Sequence, residues 1–342
     1  MFEPAVVPGQ GEALAGDALT TEIAGWVRSS PLQALIRRFG GDVPSGSLSA
    51  ELAYLDAFTA EHWNFRKRVG EGPLERNQID AGAVDGADEE FVTAAADALG
   101  LVGPRAPRYE RYDHVVTLGG LVAANIWRPT YAAYLLDHGV AADNVIGISA
   151  YRPLSRNEAD PQRDEFKLLE TFGLPSRQYE WEVMEDGLRR AFDLPAFTVE
   201  RRSDLSAEGS ARFRVASAST AQRRVSLVVA PALIPGGRAD TAAGYQYWAD
   251  RVDHVKPGDR VLAVTTCIYV PYQHAIALQH LALPFGCSVD TVGIDFSVLD
   301  LGSGGQQFRG AHYLLEIRSA ILAYRQLVTR LTENGEGPET SR

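Results

Sequence analysis

Short apolar runs alternate with longer amphipathic stretches along most of the chain. Runs of five to seven mainly apolar, often β-branched residues predict buried strands at 113–118, 144–149, 212–217, 225–230, 260–265 and 288–294. Apolar residues at helical spacing predict helices at 129–138, 162–172, 181–192, 242–252 and 272–282. Strands separated by helices of this length predict a doubly wound, mostly parallel, Rossmann-like α/β sheet with right-handed crossovers.

The first hundred residues contain helical periods and no strand pattern. They predict two short helices within 20–40, a longer one at 49–69 and a fourth at 87–99. We therefore expect an N-terminal helical region over 1–107, an α/β domain over 108–333 that includes a long C-terminal helix at 308–331, and a frayed tail over 334–342. A basic run at 62–68, followed by Arg76, is either a solvated helix end or an arm that lends an arginine to a ligand.

Composition narrows the class of protein. The 342 residues are 45% hydrophobic and 23% charged, which is typical of a globular protein, and the formal net charge is −11. Such a charge argues against sequence-independent binding of nucleic acid or of anionic membranes. No apolar run approaches the roughly 18 residues that span a bilayer, and the N-terminus has no leader pattern, so we expect a cytoplasmic protein. Neither Cys267 nor Cys287 has metal-ligand spacing, which predicts buried thiols and no metal site.

The first predicted strand ends at two glycines, Gly119 and Gly120. Glycine lets the backbone turn sharply and lets another group approach it closely. Pro129 is well suited to the first position of the helix that follows. A strand, a glycine turn and a helix N-terminus together are the usual place for a small anionic ligand in an α/β sheet.

The loops that follow parallel strands converge on one edge of the sheet, so residues far apart in sequence meet there. These loops and the helix starts beyond them contain the candidate ligand-binding residues: Gly119, Gly120, Asn125, Arg128, Arg152, Arg238, Asp240, Thr241, Thr265, Thr266, Tyr272 and Gln273. Three arginines on an acidic protein predict a focused positive site for phosphate or carboxylate. Any one arginine in such a loop is more often a surface ion-pair partner, and it is the joint placement of three that favours a site. Asp240 or Thr241 is also a typical helix N-cap.

Three residues are candidates for catalysis: His274, Glu165 and Tyr269. His274 lies inside a predicted helix, where it is either a general base or a polar packing residue. Glu165 begins a predicted helix, where the helix dipole favours a carboxylate in any case. Cys267 would be a nucleophile only if a nearby cation or helix N-terminus lowered its pKa.

Several nucleotide and hydrolase motifs do not occur in the sequence. No G-x-G-x-x-G follows the first strand, and strand 144–149 ends in Ser-Ala-Tyr-Arg instead of the acidic residue that holds an NAD ribose. This disfavours a standard nicotinamide enzyme. There is also no Walker A sequence and no G-x-S-x-G elbow, and Gly302–Gly305 is typical of a flexible loop.

Several blocks, in order, resemble the signature of the DUF218 family, which includes the YdcF-like proteins and the SanA and ElyC envelope proteins. The blocks are Asp113–Gly120, Gly139–Ser149, the Glu165 helix with Phe172–Pro175, Arg238–Thr241, and Val264–Thr266 through Pro271. The resemblance covers about residues 110 to 295 and implies a Rossmann-like fold. It also implies an association with S-adenosylmethionine or with envelope and lipid-carrier metabolism.

Carried over residue by residue, the resemblance makes Gly119-Gly120 the glycine loop, Glu165 the helix acid, Asp240-Thr241 the polar helix start and Thr265-Thr266 the hydroxyls after the strand. The family usually has a His and an Arg after those hydroxyls. Here Tyr269 and Tyr272 or Gln273 occupy the approximate positions, unless His274 substitutes from one turn further on. The membrane anchor of the envelope members is absent, which favours the YdcF-like branch.

We therefore expect a DUF218-like protein that binds a small anionic, nucleotide-like ligand, with S-adenosylmethionine as the candidate cofactor, and acts as an enzyme on a small metabolite. In this hypothesis Arg128, Arg152 and Arg238 neutralise the ligand while Gly119 and Gly120 offer N–H groups. Two alternatives stay open. One is a hydrolase or transferase of phosphate or pyrophosphate esters, with His274 or Glu165 as acid and base. The other is a non-catalytic scaffold that forms a homodimer through helix 308–331.

Overall fold

The computed structural model describes residues 2–13, 16–67, 74, 76–80, 82–157, 164–203, 212–232, 239–299 and 308–335. The chain divides into two compact units. The first comprises Met1–Gly103, Cys267–Gln279 and Gly302–Arg342, and the second comprises Pro104–Thr266 and His280–Leu301. The domain boundary expected near residue 107 stays a prediction.

Helices and strands follow one another in the expected order. The helices are α1 (Gly16–Val27), α2 (Ser30–Arg38), α3 (Leu48–His62), α4 (Gly86–Ala98), α5 (Val122–Asp137), α6 (Glu165–Thr171), α7 (Glu180–Ala191), α8 (Thr241–Arg251), α9 (Val270–Ala277), α10 (Leu283–Phe285) and α11 (Gly310–Gly335). The strands are β1 (His114–Leu118), β2 (Asn144–Ser149), β3 (Thr198–Ser203), β4 (Phe213–Ser219), β5 (Arg224–Val229), β6 (Arg260–Thr265) and β7 (Ser288–Gly293). A π-helical turn at Leu278–Ala282 joins α9 to α10.

The strands form one sheet in the second unit, in the order β3-β4-β5-β2-β1-β6-β7. Strands β5, β2, β1, β6 and β7 are parallel, while β4 runs antiparallel to both β5 and β3. The parallel strands are buried almost along their whole length, as their continuous apolar runs require. The predicted mostly parallel, Rossmann-like α/β sheet is confirmed, together with the N-terminal helical region.

Helices cover both faces of this sheet. Gly147 and Ile148 are neighbours on β2, so their side-chain positions lie on opposite faces. A Cβ at Gly147 would lie 2.7 Å from Leu188 of α7, whereas a Cβ at Gly244 of α8 would lie 2.4 Å from Ile148. Helices α7 and α8 therefore pack against opposite faces, which makes the sheet doubly wound.

The strand order reverses at β1. From β1 the chain proceeds through β2 to β5 on one side, then crosses to β6 and β7 on the other. In open α/β sheets, ligands bind in the crevice outside the carboxyl ends of the strands at such a switch point. The fold therefore places the crevice at the ends of β1 and β6.

Helix α5 begins earlier than the sequence predicts. It starts at Val122, and Pro129 lies inside it instead of at its first position. Proline in a helix interior leaves the carbonyl four residues earlier without its N–H partner. That carbonyl belongs to Asn125, and Gly187 of α7 packs so close to it that a Cβ there would lie 1.9 Å from the oxygen. The freed carbonyl thus faces a glycine of the neighbouring helix.

Sequence analysis missed β3 and misplaced several helix ends. Strand β3 carries no apolar alternation because it is an exposed edge strand. Helix α3 ends at His62, and α6 begins at Glu165. Helix α11 continues to Gly335, so residues 334 and 335 are helical, while 336–342 lie outside the described residues.

In the first unit, α11 packs against α1, α3, α4 and α9. Its apolar side chains are buried in that packing, among them Leu314, Ile317, Ile321 and Leu327. The homodimer expected through this helix stays a prediction. Among the described residues, no helix is both long and apolar enough to cross a membrane. The cytoplasmic location also stays a prediction.

The contact between α5 and α7 predicts the effect of enlarging Gly187. Gly187→Ala should lower the free energy of unfolding by about 1–3 kcal/mol or more, because the added methyl overlaps a backbone carbonyl that cannot move alone. Urea denaturation followed by circular dichroism measures this change.

Gly25→Ala is the matched control. Gly25 also lies within a helix, is exposed, and has nothing within 4 Å of the added Cβ. Alanine there should raise the free energy of unfolding by about 0.5–1 kcal/mol through helix propensity alone. Equal effects of the two substitutions would contradict the close packing at Gly187.

Candidate functional site

The glycine loop after β1 is held by hydrogen bonds within the chain. The N–H of Gly119 donates to the Ile148 carbonyl at 2.7 Å, and the N–H of Gly120 donates to Asn125 Oδ1 at 3.3 Å. The Asn125 amide in turn donates to the Gly120 carbonyl at 2.9 Å. Both glycine N–H groups are therefore engaged within the chain.

The first turn of α5 offers the next N–H groups along the chain. Its N-cap is Leu121, whose side chain has no atom that could accept a hydrogen bond. Gly119, Gly120 and Leu121 are only partly buried, whereas Val122 and Ala123 are buried. Solvent can thus reach the loop that leads into an uncapped helix N-terminus.

Arg128 ties the end of β1 to the end of β6. This side chain is 2% exposed. Its Nη1 donates to the carbonyls of Leu118 and Gly119 at 2.7 and 2.6 Å, and its Nη2 donates to Thr266 Oγ1 at 3.2 Å. The structure therefore brings together two residues that sequence analysis proposed for one site. It places a buried cation at the switch point.

Arg152, which follows β2, uses all five of its N–H groups within the chain. Nε donates to Glu180 at 2.7 Å, and each Nη donates to one oxygen of Glu165 at 2.7 Å. The remaining two N–H groups donate to the carbonyls of Pro153 and Gly120 at 3.2 and 3.0 Å. Although burial opposes it, the two carboxylates raise the pKa of Arg152. This guanidinium has no donor left for an external anion.

Glu165 is fully buried at the first position of α6 and receives four hydrogen bonds. Two come from Arg152, and Ser155 donates its N–H and its hydroxyl to Oε2, both at 2.8 Å. The acid that the sequence nominated for catalysis thus holds the loop after β2. Asp164 caps the same helix by accepting from the N–H of Lys167.

Glu180, the first residue of α7, belongs to this group but was not predicted. It is 6% exposed, and its Oε1 accepts a hydrogen bond from Ser149 Oγ at 3.2 Å. A Cβ at Gly119 would lie 2.2 Å from the same oxygen, so only glycine leaves room for this carboxylate. Burial raises the pKa of Glu180, and the charge of Glu165 adds to this, while Arg152 opposes it. The sequence feature that could have identified Glu180 is its position at the start of a predicted helix.

Four other predicted residues lie in the first unit: Tyr269, Tyr272, Gln273 and His274. His274 is fully buried within α9. The Arg76 guanidinium lies over the rings of Tyr269 and Tyr272, 5.6 and 5.7 Å from their centroids. It also pairs through Nε and Nη2 with the carboxylate of Glu316, which is 2% exposed. In this structure the arginine of the predicted arm is therefore ion-paired with a glutamate of the same chain.

The remaining predicted residues have local roles or lie outside the described part. Asp240 is the N-cap of α8 and accepts from the N–H of Ala243 at 2.9 Å, and Thr241 is the first residue of that helix. Thr265 is fully buried at the end of β6. Arg238 lies outside the described residues. Neither Cys267 nor Cys287 forms a disulfide, and both are buried. Burial raises the pKa of Cys287 to about 12, which suits an inert thiol.

Comparison with known proteins finds similarity along nearly the whole chain. The family model of the Rv3785 N-terminal domain matches residues 10–100. The protein named uncharacterized protein Rv3785, from Mycobacterium tuberculosis H37Rv, is 30% identical over 334 residues, which cover 91% of this chain and 89% of that protein. Uncharacterized protein Mb3814 from Mycobacterium bovis has the same identity and coverage. No solved structure matches the chain.

The resemblance to the DUF218 family is wrong. The matching family model and the similar proteins are of the Rv3785 type. The blocks that suggested the resemblance are short glycine turns, hydroxyl-rich strand ends and helix starts. Many doubly wound sheets need such residues at their carboxyl edge, so the likeness followed from the fold class.

The raised pKa of Glu180 predicts how stability depends on pH. A carboxyl whose folded pKa is raised favours folding while it is protonated, and this contribution is lost as pH rises from about 4.5 through the folded pKa. Glu180→Gln mimics the protonated form and does not titrate. The variant should therefore gain stability relative to the natural protein as pH rises, as urea denaturation between about pH 4.5 and pH 8 would measure.

Glu170→Gln is the control, because Glu170 lies exposed on α6. Its stability relative to the natural protein should stay nearly constant over the same range of pH. A constant difference for Glu180→Gln as well would show that Glu180 is not the buried titrating carboxyl.

Proposed function

The chain belongs to the Rv3785 family, and we propose that its sheet-containing unit binds a small anionic, nucleotide-like metabolite at the carboxyl ends of β1 and β6. One observation carries this proposal: an uncapped helix N-terminus lies at the switch point of the sheet, beside the buried cation Arg128. The strand order alone makes this crevice the expected ligand site of the fold.

Electrostatics favours an anion over a neutral ligand at this position. The N-terminus of a helix carries roughly half a positive charge, and its first N–H groups have no partner within the helix. Two other helix starts in this unit supply their own acceptor, Asp164 for α6 and Asp240 for α8. The N-cap of α5 is instead Leu121, whose side chain makes no capping hydrogen bond. A bound phosphate or carboxylate would take the place of the missing cap.

Arg128 supports the same ligand without having to contact it. Its guanidinium is held against the carbonyls of Leu118 and Gly119 and against the hydroxyl of Thr266. A charge fixed in a buried setting is screened less by water and salt than a surface charge is. Sequence analysis expected three arginines to neutralise the ligand. Arg152 cannot do so, because all of its N–H groups already have partners within the chain.

A ligand screen tests the proposal first. Thermal unfolding of the full chain is followed with S-adenosylmethionine, S-adenosylhomocysteine, nucleotides, sugar nucleotides and phosphorylated metabolites. A ligand at 100 times its Kd stabilises the folded state by about 2.7 kcal/mol. We expect a rise in Tm with at least one anionic compound, and turnover of that compound would extend the proposal from binding to enzymatic activity.

Leu121→Asp should abolish that rise. Aspartate is a favourable N-cap, so its carboxylate would accept the N–H groups of α5 and would repel a second anion. The free energy of unfolding without ligand should be preserved or raised by up to about 1 kcal/mol, less the contacts of the leucine side chain. Isothermal titration with the best ligand of the screen should show at least a tenfold increase in Kd.

Leu121→Ala is the matched control, because it removes the same apolar side chain and leaves the helix uncapped. It should bind the ligand with nearly the natural Kd. Equal binding by the aspartate and alanine variants would rule out the start of α5 as the anion site.

A further inference from the structure

Two aromatic side chains and two arginines lie together at the carboxyl edge of the sheet. We call Tyr151, Trp181, Arg212 and Arg214 the aromatic–arginine cluster. The rings of Tyr151 and Trp181 lie edge to face, with their centroids 6.0 Å apart. The Arg214 guanidinium lies over the Trp181 ring, 4.5 Å from its centroid, and the Arg212 guanidinium lies over the Tyr151 ring at 5.9 Å. All four residues are partly accessible to solvent.

The cluster adjoins the glycine loop that leads to the start of α5. Arg152, next to Tyr151 in sequence, donates a hydrogen bond of 3.0 Å to a carbonyl of that loop. Glu180, next to Trp181, lies so close to the loop that a Cβ at Gly119 would be 2.2 Å from its Oε1. The cluster is therefore within reach of a ligand whose anion lies at the start of α5.

Polar groups of the cluster that have no partner are donors. Trp181 Nε1 and Arg214 Nε are both buried, and neither atom has a hydrogen-bond partner in the part of the chain that the structure describes. Arg214 Nη2 lies 3.9 Å from an oxygen of Glu185, which is too long for a hydrogen bond. An indole N–H and a guanidinium can only donate. The cluster therefore requires acceptor atoms from whatever binds to it.

Charge favours the same kind of ligand. Within the cluster, the two guanidinium groups of Arg212 and Arg214 face the single carboxylate of Glu185. Asp186, next to Glu185, is already paired with Arg177 through two hydrogen bonds. The neighbouring group around the glycine loop is balanced, with two arginines and two glutamates: Arg128, Arg152, Glu165 and Glu180. A positive charge in excess thus remains at the cluster.

A planar ring with acceptor atoms on its edge matches these features. Nucleobases stack on aromatic rings and on the guanidinium planes of arginines. Arginine also donates to the adjacent O6 and N7 atoms of a 6-oxopurine such as guanine, whereas adenine has an amine donor in place of O6.

We propose that the aromatic–arginine cluster binds the base of the nucleotide-like ligand and that this base is a 6-oxopurine. The inference rests on the proposed function for the position of the phosphate, and it specifies the class of the base. Stacking involves the rings of Tyr151 and Trp181 and the guanidinium planes above them. Donation to the edge of the base comes from the N–H groups of Trp181, Arg212 and Arg214.

Three compounds test this inference on the full-length protein: inosine monophosphate (IMP), adenosine monophosphate (AMP) and ribose 5-phosphate. IMP and AMP differ at C6, where an oxygen accepts in IMP and an amine donates in AMP, and ribose 5-phosphate has no base. Isothermal titration gives the Kd of each compound. We expect IMP to bind at least about tenfold more tightly than either of the others, the discrimination that one well-placed pair of hydrogen bonds provides.

Two substitutions in the cluster should bring the Kd values of IMP and AMP close together. Trp181→Phe keeps a flat ring and removes the indole N–H, while Arg214→Lys keeps the charge and removes the planar donors. Neither substitution should change the Kd of ribose 5-phosphate. Arg37→Lys is the control, because Arg37 lies exposed on α2 in the other unit, and it should leave the preference for IMP unchanged. Circular dichroism of each variant establishes that the chain is folded before titration.

The outcomes separate this inference from the proposal on which it rests. Leu121→Asp should weaken IMP and AMP alike, so that the ratio of their Kd values stays constant. If ribose 5-phosphate binds as tightly as IMP and loses affinity in Leu121→Asp, the anion site stands and the base site is refuted. Equal binding of IMP and AMP overturns the assignment of a 6-oxopurine, and a preference for IMP that survives both cluster substitutions places the base elsewhere. If none of the three compounds binds, the inference falls together with the nucleotide form of the proposed function.

Discussion

The guanidinium of Arg152 holds together the carboxyl edge of the sheet. Through its five N–H groups it joins the loop after β1, the loop after β2, and the first residues of α6 and α7. These four segments enter the site from different directions, and backbone hydrogen bonds, such as that from the N–H of Glu180 to the Arg152 carbonyl, connect only some of them. The planar guanidinium can join all four segments because its five N–H groups point in fixed directions within one plane. The positions of Gly120, Glu165 and Glu180 all depend on it.

A second constraint sets the direction of α5. Pro129 frees the carbonyl of Asn125, and Gly187 allows α7 to approach that carbonyl closely. The helix therefore begins seven residues before the proline and carries Asn125 and Arg128 back toward the glycine loop. Asn125 hydrogen-bonds to both the N–H and the carbonyl of Gly120, while Arg128 donates to the hydroxyl of Thr266. Both side chains that meet the glycine loop from α5 therefore lie within one turn of the contact with α7.

Together these constraints give the site two electrostatic sides. On one side, the uncapped start of α5 and Arg128 favour negative charge. On the other, the carboxylates of Glu165 and Glu180 share the guanidinium of Arg152. The formal charge of −11 for the whole chain suggested no such division, because net charge does not report how charges are distributed within a crevice.

The fold and the edge of the sheet that bears the candidate site were predictable from local patterns. Apolar runs placed β1, β2, β6 and β7 within a residue or two, and the alternation with helices predicted the parallel sheet and hence the loops that converge. Strand β3 was missed because an exposed, charged edge strand has no apolar period to read. The partners of Arg152 were unpredictable for another reason: Glu165 and Glu180 lie 13 and 28 residues beyond it, and their approach depends on how two crossover helices pack. Hydrophobic periodicity depends on residues that are close together in the chain. The pairing of buried charges arises only when the fold brings distant segments together in an interior of low dielectric constant.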